Sequence, residues 1–429
     1  MGYARLAWPL FRPDESVFTR GFRQQELEAM DRDVATFMRR YQVPGLSIAI
    51  ARRGRLAYAK GFGVAQRWSL FPPVWGRSVS VWDLFRIASV SKPITAVAIM
   101  RLSEQGQLTL QDRVFGRGAI LGNDYGFDTL PRGQNMRRLG RITVQHLLEH
   151  TGGGWPNDAN DPMYAYPTLD QRQLITWVLA NRPLDTTPGT RYAYSNFGYC
   201  LLGRIIERVS GQPYADYVKT QILGRCGITN MHIAGNTRAE RRSDEVVYYA
   251  RPPSSHDPYG IPVARMDAHG GWLASAVDLV RFAVHVDGFN WFIDNRGGKP
   301  FVPIITPSTP DILTPASIKT MTTKTTAKDK DGKDPNYAKG WAVNTLGNWW
   351  HVGRLPGTTS ILVRTSQGFC WAALANTGPD DALTEALDNV MWQVFGDVSQ
   401  WPTHDLFPRY DTPWWWQFLW NRLASGFKQ

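Results

Sequence analysis

Cysteine is scarce. The 429-residue chain holds three, Cys200, Cys226 and Cys370, each in an apolar stretch and none in C-x-x-C spacing. That excludes a disulfide framework or a thiolate zinc site and reads as three buried thiols. The eight histidines supply no H-E-x-x-H, so no metal is implied and no cofactor is expected. No apolar run approaches the length of a bilayer span. The opening residues MGYARLAWPLF are interrupted by Arg5 and followed by Arg12, which is not the pattern of a secretory signal. Leu6 breaks the myristoylation pattern that Gly2 would begin. A cytoplasmic location is therefore the default expectation. Acidic residues are outnumbered, 37 against 48 Lys and Arg, for a net charge of +11. The excess favours anionic partners such as acidic substrates, envelope polymers or lipid headgroups. The basic residues are dispersed and no nucleic-acid motif occurs, so nucleic acid is not an expected partner.

What is present is a core-forming composition, 43% hydrophobic, enough for two domains or one large one. Its most apolar stretch is Phe85 to Met100, FRIASVSKPITAVAIM. Ile94 to Leu102 is apolar nearly all round, the mark of a helix enclosed by protein. Pro93 falls in the first turn, where a missing N–H does little harm, and Gly106 supplies the stop. Ser89 and Lys92 form S-x-x-K at the start of this helix. With Ser89 at its first position, the two share a face, since i and i+3 are neighbours at 3.6 residues per turn. A serine there has its own N–H pointing outward with the helix dipole behind it, which favours an oxyanion. Burial of Lys92 would favour the neutral amine and make it a usable base. A second S-x-x-K, Ser425 to Lys428, has no buried helix after it and is read as chance.

Tyr194, Ser195 and Asn196 form the only Y-x-N, between the turn Pro188 to Thr190 and a helix starting near Asn196. The tyrosine then lies at a loop edge, and a protonated lysine nearby would pull its phenol pKa down. His351, Val352, Gly353 and Arg354 lie on a strand before the turn Leu355 to Thr358. Gly353 is expected to let a ligand approach the backbone closely. A second H-x-G, His269 to Gly271, precedes a capped helix and is set aside as loop.

Phe22 to Tyr41 spaces Leu27, Met30, Val34 and Phe37 as an amphipathic helix. Gly45 to Ala51 and Leu56 to Val64 read as a hairpin. The stretch to Gly140 is irregular, and helices follow at Thr143 to His150, Leu169 to Asn181, Asn196 to Ser210 and Pro213 to Leu223. Another, Ser275 to Asp287, opens with Ser275 and Asp278 in capping-box spacing. A helix near Thr314 to Thr322 precedes a solvated Lys- and Asp-rich loop, Lys324 to Lys333. Strands are expected at Gly340 to Leu346, Trp349 to Val352, Thr359 to Thr365 and Phe369 to Leu374, then a helix Asp380 to Phe395. Strands at both ends around a helical middle suggest one sheet built from both terminal segments. The division expected is 22–115 with 330–397 as a discontinuous α/β sheet domain, 116–329 as a mainly helical domain, and 398–429 as a Trp-rich tail. The tail carries Trp414, Trp415, Trp416 and Trp420; it is expected to pack on the body, with a peripheral membrane or oligomer contact as the alternative.

Taken together, the three motifs and their order resemble the serine β-lactamase and penicillin-recognising peptidase superfamily. The branch is the class C-like one, which also holds family VIII carboxylesterases, D-aminopeptidases and related acyltransferases. The resemblance runs from about Leu27 to Phe395 and includes ITVQHLLEHTGG, YAYSNFGYCLLGRIIERVSG, GGWLASAVDLVRF and VGRLPGTTS. It implies an α/β (α+β) fold of β-lactamase/transpeptidase type: an antiparallel sheet flanked by helices, an all-α domain, and a cleft between them holding the site. It further implies Ser89 as acylated nucleophile, Lys92 and Tyr194 sharing proton transfer, and Asn196 orienting Lys92 and the substrate carbonyl. The oxyanion hole would be the N–H groups of Ser89 and Arg354. His351, counted with Ser89, Lys92 and Tyr194 as a catalytic residue, stands where many relatives carry the lysine of K-T-G, a departure that tilts the expected substrate from β-lactams to a small ester, amide or short peptide. Arg354 is the expected replacement for anion recognition. Absence of G-x-S-x-G removes an α/β-hydrolase elbow, and absence of S-D-N the class A arrangement. The leading expectation is a metal-free serine hydrolase of esterase or peptidase type. A β-lactam hydrolase, an acyltransferase and an acylated sensor that does not turn over remain as alternatives.

Overall fold

The computed structural model describes residues 19–69, 75–251, 256–288 and 311–411. The N-terminal MGYARLAWPLF, the tryptophans at 414–420 and the second S-x-x-K at Ser425 lie outside these residues. Among the described residues no helix is long and apolar enough to cross a membrane.

Arg53 and Gly54 take φ of 49° and 78°, the left-handed pair that a two-residue type I′ turn demands. The turn folds Gly45–Arg52 (β1) back on Arg55–Gln66 (β2). On its other side β1 pairs antiparallel with Phe369–Ala375, Leu46 opposite Ala375 and Arg52 opposite Phe369. Phe369–Ala375 pairs with Thr358–Arg364, which pairs with Trp349–Leu355. With the short strands Arg77–Ser78 (β3) beside β2 and Ala342–Val343 at the far edge, the sheet has seven strands. The two ends of the chain thus build one sheet, as the distribution of strand patterns suggests.

Alternation along β1 decides what covers each face. Leu46, Ile48 and Ile50 point to one side, into a cluster with Met30, Val34 and Phe37 of Gln24–Arg40 (α1) and Leu383, Leu387 and Met391 of the helix Asp381–Gly396. Each such side chain, fully buried, contributes about 1.5–3 kcal/mol. Ala49, Ala51, Ala372 and Leu374 point to the other side and join a larger core. That core continues through Ser91–Glu104 (α2) and the helix Ala276–Val284 into the helical half. Small residues on this face let helices approach the sheet closely. The helix Ala276–Val284 is buried along its whole length and packs here on the sheet, although its sequence position falls in the range read as helical domain.

Local signals hold where the partners are local. Ser275 Oγ accepts from the Asp278 N–H at 3.0 Å and Asp278 Oδ2 from the Ser275 N–H at 3.4 Å, a capping box with Asp in place of Glu. Ser195 caps Asn196–Ser210, accepting from the Gly198 N–H at 3.0 Å, and Gly211 ends it at φ 69°. The strand expected over Gly340 to Leu346 shortens to Ala342–Val343, because Gly347 turns the chain at φ 77° and leaves Leu346 exposed.

Candidate active site

Ser89 does not open the α-helix. Ala88–Val90 forms a 3₁₀ turn and α2 begins at Ser91. Ala88 sits at φ 48°, a region that costs a non-glycine residue about 1–3 kcal/mol and that recurs at functional sites. Tertiary bonds hold this turn: the Ile87 N–H donates to the Trp272 carbonyl at 3.0 Å, and Ser360 Oγ donates to the Ile87 carbonyl at 2.7 Å. Ala88 and Val90 are buried while Ser89 is half-buried, so the hydroxyl is the group presented outward. Gly353 explains how the strand Trp349–Leu355 reaches the turn. A Cβ at 353 would stand 2.3 Å from the Ile87 carbonyl oxygen and 2.3 Å from Ser360 Oγ. The space that glycine leaves is thus filled by the Ile87–Ala88 backbone, where the sequence reading places a ligand.

Lys92 is fully buried beneath Ser89. Its Nζ lies 3.0 Å from Ser89 Oγ, 2.8 Å from Asn196 Oδ1 and 3.1 Å from the His269 carbonyl oxygen. Burial drives the amine well below its ordinary pKa, and the Asp161 carboxylate opposes this. A neutral amine has two N–H groups and one lone pair. Asn196 Oδ1 and the His269 carbonyl are acceptors only and take the two N–H groups, so the lone pair is left to the Ser89 hydroxyl. That is the arrangement of a base in contact with its nucleophile. His269, set aside as loop on sequence grounds, enters through its main chain; a strand, Trp272–Ala274, follows it directly.

Tyr194 is held by His150. The His150 carbonyl accepts from the Ala193 N–H at 2.8 Å and His150 Nδ1 accepts from the Ser195 N–H at 3.1 Å, so both neighbours of Tyr194 are tied to one residue. The Tyr194 carbonyl accepts from the Asn157 N–H at 2.7 Å. The Tyr194 ring centroid is 4.7 Å from Lys92 Nζ. Its phenol pKa is pushed above the ordinary value by burial, with a hydrogen bond to Ser89 working in the lowering direction. This reverses the expectation of a depressed phenol. Removal from water penalises the phenolate, and this outweighs the lowering effects of Ser89 and Arg354.

His351 is buried, with its ring centroid 6.2 Å from that of Tyr194. Nδ1 donates to the Val352 carbonyl at 2.7 Å, and Nε2 accepts from the Tyr337 hydroxyl at 3.1 Å. Burial, then Lys92, lower its pKa to about 3. A neutral ring with both nitrogens engaged forms a wall of the site beside Tyr337; it does not stand free as a base. Arg354 lies at the rim, half-exposed, its guanidinium paired with Asp381. Its charge still lowers the Tyr194 pKa, but an anionic substrate group would compete with Asp381 for it.

Three contributors escape a reading of the sequence. Asp161 accepts from Asn196 Nδ2 at 2.7 Å. His150 lies in the quoted EHTGG segment, yet nothing in that string announces a clamp. Behind it, Glu149 and Lys339 form a buried pair at 2.6 Å. Among the described residues no three His, Cys, Asp or Glu side chains converge as metal ligands would.

A family model described as Beta-lactamase matches residues 30–393. The chain is 31% identical to penicillin-binding protein 4* of Bacillus subtilis (strain 168) over 220 residues, 50% of this chain and 43% of that protein. It is 29% identical to esterase EstB of Burkholderia gladioli over 260 residues, 57% and 59% of the two. It spans about half the length of the curated relatives it matches. Among solved structures, D-amino acid amidase from Ochrobactrum anthropi SV3 superposes with a TM-score of 0.63 at 20% identity, covering 86% of this chain and 99% of that one. The octameric penicillin-binding protein homologue from Pyrococcus abyssi gives 0.62 at 23%, covering 86% and 77%. These structures share the fold: an antiparallel sheet with helices, of β-lactamase/transpeptidase type. By the family match over most of its length, borne on that fold, the chain belongs to the β-lactamase family.

Proposed function

We propose that the protein is a serine hydrolase that cleaves a small ester or amide through an acyl-enzyme on Ser89. The observation that carries the reading is the set of contacts at Lys92 Nζ, two acceptors and one hydroxyl, in a site where burial drives the amine's pKa well below its ordinary value. Ser89 Oγ attacks the carbonyl carbon as its proton passes to Lys92. The oxyanion is met by the N–H groups of Ser89 and Arg354. Collapse breaks the bond to the leaving group, which takes the proton from Lys92 through the Tyr194 hydroxyl. Water then enters, gives its proton back along the same path and attacks the ester, and Ser89 Oγ departs with that proton. Neutral Tyr194 suits this relay, since a phenol that gives one proton as it receives another never rests as a phenolate.

Substrates of ester or amide type are supported by relatives named as an esterase, a putative D-alanyl-D-alanine carboxypeptidase and a D-amino acid amidase. His351, engaged on both nitrogens and uncharged, supplies no cation where a β-lactam carboxylate would need one. The test is a p-nitrophenyl ester of a short acid. The expected result is a burst of p-nitrophenol equal to the enzyme concentration, then steady turnover, both lost in Ser89→Ala. A burst without turnover would leave an acylated sensor, and turnover unchanged in Ser89→Ala would refute the assignment.

A further inference from the structure

Asn196 is the first residue of its helix and is buried. Its amide has two ends that differ in kind: Oδ1 accepts and Nδ2 donates. Which end faces Lys92 is set by the groups around it. On the far side lies Asp161, 1% exposed, whose Oδ2 is 2.7 Å from Asn196 Nδ2. Asp161 Oδ1 accepts from the Met163 N–H at 2.9 Å and caps the short helix that starts at Pro162. A carboxylate only accepts, so it tolerates the Nδ2 end of Asn196 and repels the Oδ1 end. With the amide turned over, Oδ1 would meet a carboxylate oxygen and Nδ2 would point an N–H at Lys92. The amine lone pair would accept that N–H and would no longer be available to Ser89.

We infer that Asp161 is a positioning residue, which locks the Asn196 amide in the one orientation that leaves the Lys92 lone pair facing Ser89. The inference rests on the proposed hydrolase reading and adds to it a residue that touches neither Ser89 nor Lys92 in hydrogen-bonding range. The charge of Asp161 has a second effect. Lys92 is faced by the Asp161 carboxylate, by the buried imidazoles of His150 and His351, and by the rings of Tyr194 and Tyr199, with the His269 main chain beneath it. The His269 imidazole also feels the Lys92 charge. Burial lowers the pKa of all three imidazoles, and Asp161 supplies the negative charge that counters the effect of burial on Lys92. Asp161 itself is faced by Lys92, Arg265, Asp158 and Tyr164; burial raises its pKa, and the hydrogen bonds from Asn196 and the Met163 N–H and the Lys92 charge oppose this.

Two substitutions separate locking from capping. Asp161→Asn keeps the shape but offers one oxygen to two donors, Met163 N–H and Asn196 Nδ2. Asp161→Ser keeps an N-cap hydroxyl and gives up the reach to Asn196. Both are compared with the wild type in burst amplitude, kcat, KM and pH profile on p-nitrophenyl acetate, with folding checked by circular dichroism. The expected result is a fall in kcat of about tenfold or more, the scale of a weakened general base, with KM nearly constant. The acid limb of kcat/KM should move to lower pH, because Lys92 loses the charge that favours its protonated form. Either variant, folded, with wild-type kcat and an unmoved acid limb overturns the inference. If the wild type itself shows no Ser89-dependent burst, the hydrolase reading falls and this inference with it; wild-type turnover with indifferent Asp161 variants sinks the inference alone.

Discussion

A single methyl group at position 353 separates two accounts of the strand beside Ser89. In Gly353→Ala the new Cβ would lie 2.3 Å from the Ile87 carbonyl oxygen, 2.3 Å from Ser360 Oγ and 3.1 Å from the Ala88 Cβ. Ordinary contact begins near 3.4 Å, so the strand Trp349–Leu355 and the turn carrying Ser89 must separate by about 1 Å. Ser360 must also swing aside, which breaks its buried 2.7 Å bond to the Ile87 carbonyl. Overpacking costs about 1–3 kcal/mol and a lost buried hydrogen bond about 1 kcal/mol, for a destabilisation of roughly 2–4 kcal/mol. The displacement falls on the residues that hold Ser89, where about 1 Å of misplacement costs on the order of 10² in rate. Thermal unfolding followed by circular dichroism and steady-state kinetics on p-nitrophenyl acetate should therefore show a lower Tm and a lower kcat, with KM little changed. The competing account, a glycine kept for close approach of substrate, requires a raised KM with Tm and kcat intact. That outcome, or a variant indistinguishable from the wild type, would refute the packing argument.

Two further expectations concern buried charge. His351 has its pKa lowered in the folded state to about 3, against about 6.5 when unfolded. Its contribution to stability is therefore complete above pH 6.5 and is lost as the pH falls toward 3, at up to about 1.4 kcal/mol per pH unit. Tm measured from pH 7 to pH 4 should fall less steeply in His351→Gln than in the wild type, and parallel curves would contradict the assignment. Glu149→Ala strands Lys339 in the interior without its 2.6 Å partner and should cost about 3–5 kcal/mol, while Glu149→Ala with Lys339→Met should recover most of it. Additive losses in denaturant unfolding would mean that the pair is not coupled.

What the sequence disclosed was whatever depends on neighbours along the chain. Ser89 and Lys92 are three residues apart, one in the 3₁₀ turn and the other in the first turn of the α-helix that continues it, so their meeting follows from helical spacing. The capping boxes, the β1–β2 hairpin and the strand periods after Gly340 are local in the same sense. That the two terminal segments share one sheet is not local, yet terminal strands around a helical middle suggest it; the order of strands within that sheet is seen only in the fold. Three kinds of information stayed hidden. The His269 carbonyl contributes through the main chain, which carries no side-chain signature. Asp161 acts through a tertiary contact to Asn196, and Asp before Pro looks like any other cap. The pKa directions at the site depend on burial: a depressed phenol at Tyr194 follows from weighing a nearby cation alone, and enclosure of the phenol itself outweighs that. Gly353 was recognised as a place of close approach, but what approaches it is set by how the sheet meets the turn.

The pairing of β1 with Phe369–Ala375 has a consequence for biosynthesis. During translation β1 and β2 emerge with one edge unpaired, and they keep it until Phe369–Ala375 has been made. An open edge of this kind is a template for association with other chains, so a newly made molecule is most exposed to clumping while its later strands are still on the ribosome. Over the same interval Ser89 and Lys92 exist without Gly353 and Ser360 to seat their turn. A partly translated polypeptide therefore carries the proposed nucleophile before it has the means to hold it in place.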